Sequence, residues 1–197
     1  MDSMSEAWIS FKNWLEVFAP STFNAIRPPV GGEKLTLALS KIPVHIHPDV
    51  TAFYSLSDGT ASLMEGGSPS AFIPRAYAPY NLEQLSSAYA HMASTVAYEN
   101  SLGRSYQIGM TAHPEWVPFA VSAAGDELLL DHRDGETYGA ILEFDESQGR
   151  YVEAWTSMGA MLMEMDHAVR GLGAIGRYRA RIRSEDHSLE WYHPEFP

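Results

Sequence analysis

The side chains that could do chemistry here are histidines, carboxylates and clustered glycines. The 197 residues contain no cysteine, which removes thiolate zinc sites, iron–sulfur clusters, thiol nucleophiles and disulfides together. Gly171-Leu172-Gly173-Ala174-Ile175-Gly176 fits the dinucleotide fingerprint G-x-G-x-x-G. That chemistry needs a strand before the glycines and a helix after them, so that pyrophosphate meets a helix N-terminus. Here a helical pattern precedes and a strand pattern follows, so the glycines read as a helix-terminating turn. His45 and His47 could share one face of a strand as metal ligands, but Pro43 and Pro48 bracket them and no third ligand has the required spacing. They read as exposed loop histidines. Asp166-His167 and Asp186-His187 are adjacent pairs, which do not make an acid–base dyad, and the stretch from Asp131 to Glu143 puts Gly135 off register for a calcium loop. There is no G-x-S-x-G, phosphate loop or H-E-x-x-H. No catalytic set, metal site or cofactor site is expected.

What remains is charge. Acids outnumber bases 25 to 13, for a formal net charge of −12. Residues 125–167 hold 11 acids and 2 bases, which is −9 of that total. Such a block attracts basic partners and repels a phosphate backbone, so a protein partner is expected and nucleic acid is not. The opposite bias follows, with Arg177, Arg179, Arg181 and Arg183 alternating against Tyr178, Ala180 and Ile182. That row reads as the charged outer face of an edge strand.

These groups need a scaffold. Ser3 and Glu6 read as a capping box, followed at helical spacing by Trp8, Phe11, Leu15 and Phe18 until Pro20 ends the helix. A second helix is expected within 33–42. A third runs from Pro48 with Val50, Phe53 and Tyr54 inward and is closed by Asp58-Gly59. Residues 60–80 read as short strands with loops, and Asn81 caps a further helix. Strands are expected at 116–121, 127–131, 138–145 and 150–155, with Asp134-Gly135 and Gln148-Gly149 as hairpin turns. Ser157 caps a Met-rich helix to about Arg170, and the last residues, from Ser184 on, read as a tail. The result is an α+β domain with a mainly antiparallel or mixed sheet and flanking helices, over residues 1–176. Residues 177–197 add an Arg-rich strand and tail packed on or trailing from it. No apolar stretch reaches the roughly 20 residues of a membrane span and no secretory signal is visible, so a cytoplasmic protein is expected.

The run WVPFAVSAAGDELLLDHRDGETYGAILEFDESQGRYVEAW resembles the signature of the SUKH superfamily, which includes bacterial immunity proteins and fungal cell-wall-assembly regulators. Trp116, Pro118, Phe119, Gly125, Asp126, Asp131, Gly139 and Trp155 occupy the places of that pattern. Pro28-Pro29, the helix from Glu33, and Pro48-Asp49 through Asp58-Gly59 resemble its N-terminal half, for a likeness over roughly residues 5–168. His47-Pro48 stands where the family usually has Leu-Pro, residues 60–110 match poorly, and the segment after Gly176 looks like an addition. The matched residues read as fold determinants, Gly125-Asp126 as a turn and Asp131 as the pin of a loop.

The resemblance implies a non-catalytic protein-binding module, foremost an immunity protein that neutralises a nuclease-type toxin by direct binding. A basic nuclease complements an acidic face. Asp126, Glu127, Asp131, Asp134, Glu136, Glu143, Asp145 and Glu146 are the residues expected near that face. A housekeeping regulatory or scaffolding module with apolar anchors is the alternative, and a small hydrolase with a divalent ion the third reading.

Overall fold

The computed structural model describes residues 3–171 and 173–195. Its elements are α1 (Ser3–Phe18), α2 (Pro20–Ala25), α3 (Gly32–Leu39), α4 (Pro48–Leu56), a single turn α5 (Leu63–Gly66), β1 (Tyr77–Pro79), α6 (Leu82–Ser101), β2 (Trp116–Ser122), β3 (Glu127–Asp131), β4 (Ile141–Asp145), β5 (Arg150–Trp155), α7 (Met158–Val169), β6 (Arg179–Ile182) and β7 (Leu189–Tyr192). Strands β1 to β5 form an antiparallel meander in sequence order, and β6–β7 form a separate hairpin. This is the α+β architecture expected.

The sheet is covered on both faces, which is why Leu128-Leu129-Leu130 runs apolar without alternation. Val117, Phe119, Leu128, Leu130 and Ile141 face the main core beneath α1, α4 and α7. Trp116, Leu129 and Leu142 face Met92 and Val96 of α6. A register shift between Pro118 and Ala120 places Ala120 on the same face as Phe119. On α1, Trp8, Phe11 and Leu15 are buried as their spacing predicts, and Ser10 Oγ donates to Asp166 Oδ2 at 3.1 Å across to α7. The side chain of Ser3, on which the capping-box reading rests, lies outside the described residues. Asn81 and Ser157 cap their helices as expected, the first in a full capping box.

Several local expectations are corrected. Pro20 does follow the first helix, but it also opens α2, where its missing N–H costs nothing. Residues 60–80 hold one strand only. Ser62 Oγ accepts from Glu65 N, which starts the single turn α5 instead. Strand β4 begins at Ile141 rather than Tyr138, because 132–140 is a long loop and not a tight hairpin. The expected tail contains β7. Leu189 and Trp191 are buried, Leu189 N donates to Thr22 Oγ1 at 2.9 Å, and Trp191 Nε1 donates to the Phe72 carbonyl at 2.6 Å. Tyr178, Ala180 and Ile182 pack on the core beside them, and the arginines of that strand face out.

Candidate partner-binding surface

The meander decides where the eight acids go. The β2–β3 and β4–β5 turns lie at one end of the sheet and the β3–β4 loop at the other, roughly 15 Å away for strands of five residues. Asp126, Glu127, Asp145 and Glu146 therefore gather at one end, and Asp131, Asp134 and Glu136 at the other. The block that is continuous in sequence is two clusters in space.

Half of these acids are engaged within the protein. Tyr80 Oη donates to Glu127 Oε1 at 2.7 Å, and burial raises the Glu127 carboxyl above its usual range although that bond works against it. Glu143, its side chain 14% exposed, pairs with Arg75 at 2.6 Å. Arg75 and Ala76 both have positive φ in the tight turn that closes Ile73 onto Tyr77, a conformation non-glycine residues seldom adopt. Asp145 accepts from the Ser147 hydroxyl at 2.6 Å and from Gln148 Nε2 at 2.7 Å, and these bonds hold its carboxyl below the ordinary range. Asp126 is exposed in a turn that Gly125 makes possible with φ 93°, and its N–H donates to Ser122 Oγ. Glu146 is exposed beside it.

The other end is built differently. Asp131 is fully buried, and burial alone would raise its carboxyl. The Arg133 guanidinium overrides this, with Nε at 2.9 Å from Oδ1 and Nη2 at 2.6 Å from Oδ2, and holds the group below the usual aspartate range. Asp131 thus pins the loop, as the family pattern implied. Gly139 N donates to Asp131 O at 2.7 Å and Ala140 N to Thr137 O at 2.9 Å, closing the base of the loop. Gly139 has φ 87°, and a Cβ there would lie 2.5 Å from His47 Nε2. Tyr138 packs on His47 with ring centroids 4.8 Å apart. His47 is therefore no free loop histidine: it caps α4 by accepting from Asp49 N and wedges against this loop.

Below them lies His132, which sequence reasoning did not single out. It is buried, its Nδ1 lies 3.1 Å from the Leu130 carbonyl, and its Nε2 has no partner. A carbonyl accepts only, so Nδ1 carries the proton. Burial pushes its pKa down to about 4, helped by the positive fields of His47 and His45. With its base fixed, the loop presents Asp134 and Glu136 to solvent, and neither has an ion pair among the described residues. These two are the acids whose side chains the fold leaves without an ion pair on a loop held at its base. Among the described residues no cluster of His, Cys, Asp or Glu is arranged to hold a metal ion, and no helix is long and apolar enough to cross a membrane.

No curated protein shows significant similarity to the chain. The model of the SMI1 / KNR4 family (SUKH-1) matches residues 29–164, which contain α3 to α6, the whole meander and the first half of α7. Helix α1, which the sequence resemblance took in, stands outside that match, as does the β6–β7 hairpin. A match over more than half of the sequence, on the elements that form the sheet and cover both its faces, makes this chain a member of the SMI1/KNR4 (SUKH-1) family.

Proposed function

We propose that the chain is a non-catalytic bacterial immunity protein that binds a basic, nuclease-type toxin domain and blocks it, acting in the cytoplasm. The observation that carries this reading is the β3–β4 loop. It is held at its base by the Asp131–Arg133 pair and by His47 and Tyr138, and it exposes Asp134 and Glu136 without internal partners. A loop whose base is held before encounter keeps its charges in one place, where they steer an oppositely charged partner. Asp126 and Glu146 at the far end extend the attractive field, whereas Asp131, Glu127, Glu143 and Asp145 serve the fold first.

Affinity capture of the tagged protein from its own cells, washed at low and then high salt, tests the reading. A stoichiometric basic partner released by salt, and not retained by the double variant Asp134→Lys, Glu136→Lys, is expected. Retention of the same partner by that variant would overturn the assignment of the loop.

A further inference from the structure

A second surface carries the opposite charge. Between α3 and α6 runs a groove of about 500 Å³. Leu35 and Leu39 turn one side of α3 into the core, which leaves Lys34 and Leu37 on the other side, at the groove, with Lys41 just past the helix end on the same wall. Leu37 is 62% exposed and stands at the groove between the two lysines in sequence. Lys34 and Lys41 are two of the three lysines in the chain, and neither has an ion pair among the described residues. At one end Arg27 is fixed by Asp58, whose Oδ2 accepts from Arg27 Nε at 3.1 Å. The Arg27 terminal nitrogens have no hydrogen bond among the described residues.

The α6 N-terminus is not what attracts a ligand here. Asn81 accepts from Glu83 N and Gln84 N, and Asp58 Oδ1 accepts from Leu82 N at 2.9 Å, so its amides are already satisfied. Asp58 also offsets much of the Arg27 charge, and Glu83 is the one other acid on the groove wall. Arg27, Lys34 and Lys41 on the groove wall outweigh Asp58 and Glu83 by one charge, with Lys34 on α3, Lys41 two residues past its end, and the exposed Leu37 between them in sequence. An apolar contact with charged groups at its rim is the anatomy of a small protein interface. The net charge of −12 repels an acidic partner at long range, so the local match at this groove has to carry the contact.

We infer that the α3–α6 groove docks an acidic segment of a protein partner, one with an apolar residue set between two carboxylates. It does not depend on the acidic β3–β4 loop and would repel the basic partner proposed for that loop. The two surfaces thus address partners of opposite charge.

The test uses the full chain and a fluorescein-labelled 14-residue helical peptide with two Glu seven residues apart flanking a Leu pair. A control peptide carries Gln for both Glu. Saturable binding of the Glu peptide is expected, weakened at least about tenfold by Lys34→Glu with Lys41→Glu, and weakened by added salt. Leu37→Ala should weaken it severalfold without changing the salt dependence. All three positions are exposed, so melting temperature should not move, and a circular dichroism melt checks that. Three results of the peptide titration alone would overturn the inference. One is equal affinity for the Glu and Gln peptides, and another is unchanged binding by the Lys double variant. The third is the absence of saturable binding up to about 1 mM, the weak limit at which a few contacts still register. Displacement of the peptide by inorganic phosphate, together with no effect of Leu37→Ala, would also overturn it in favour of a small-anion site.

Discussion

Replacing His132 with Leu removes an imidazole that the fold holds neutral, and the consequence lies in the pH dependence of stability. Burial takes His132 from an ordinary 6.5 to about 4. Between those values the unfolded chain takes up a proton that the folded chain does not, so the fold weakens as pH falls. The native advantage is complete above about pH 6.5 and is lost progressively toward pH 4. The full shift corresponds to about 3 kcal/mol, and about 2–3 kcal/mol of it falls between pH 7 and about pH 4.5. Other groups titrate nearby. Glu127 has a raised pKa and acts with the opposite sign, because the folded state takes its proton first and gains stability as pH falls. Asp131 and Asp145 have lowered pKa values and act below the window. These contributions are common to the wild type and the variant and cancel in the difference. Urea unfolding of both proteins at pH 7 and about pH 4.5 is the assay. Wild type should lose about 2–3 kcal/mol more than His132→Leu across that interval. Equal losses, or a His132 ring that titrates near 6.5 by NMR, would refute the claim that this imidazole is buried and neutral.

Trp116→Ala removes an indole that is 1% exposed, packed on Tyr151 at 5.4 Å and under the Arg133 guanidinium at 5.3 Å, and should cost about 3–5 kcal/mol by urea unfolding. A melting temperature within a degree of wild type would contradict its burial. Gly139→Ala meets both a positive φ and the His47 ring, so it should destabilise by at least about 1 kcal/mol. It should also disorder the loop carrying Asp134 and Glu136, seen as faster amide exchange at 134–138. Unaltered exchange there would mean that His47 does not hold the loop.

Much of this fold was legible because its cues are local. Asn81 and Ser157 announce their helices through a side chain that bonds two or three residues onward, and strands Glu127–Asp131 and Arg150–Trp155 lie between turn residues that bound them. Strand β7 was missed because Leu189 and Trp191 make only two apolar positions, after a run of turn formers. Its place is set by Thr22 and Phe72, more than a hundred residues earlier in the chain. The acidic block misled for the same reason. Successive turns of a meander go to opposite ends of the sheet, and the partners that consume Glu127 and Glu143, namely Tyr80 and Arg75, lie 47 and 68 residues away. Asp131 and Asp145 had partners close in sequence, Arg133 two residues on from the first and Ser147 and Gln148 two and three on from the second. His132 continues the parity of Leu128 and Leu130, which face the main core, and that was the one available hint of its burial.

The central claim is that Asp134 and Glu136 meet a basic partner, and the rate of association tests it most directly. Stopped-flow mixing of the captured partner with wild type and with Asp134→Lys, Glu136→Lys, at low and moderate salt, compares the two. Asp145 is left native because it holds the β4–β5 turn together. Association at low salt should slow by at least about tenfold in the variant, with the difference shrinking as salt rises and the melting temperature unchanged. Equal association rates at low salt would contradict the account and reduce the acidic loop to a device for solubility.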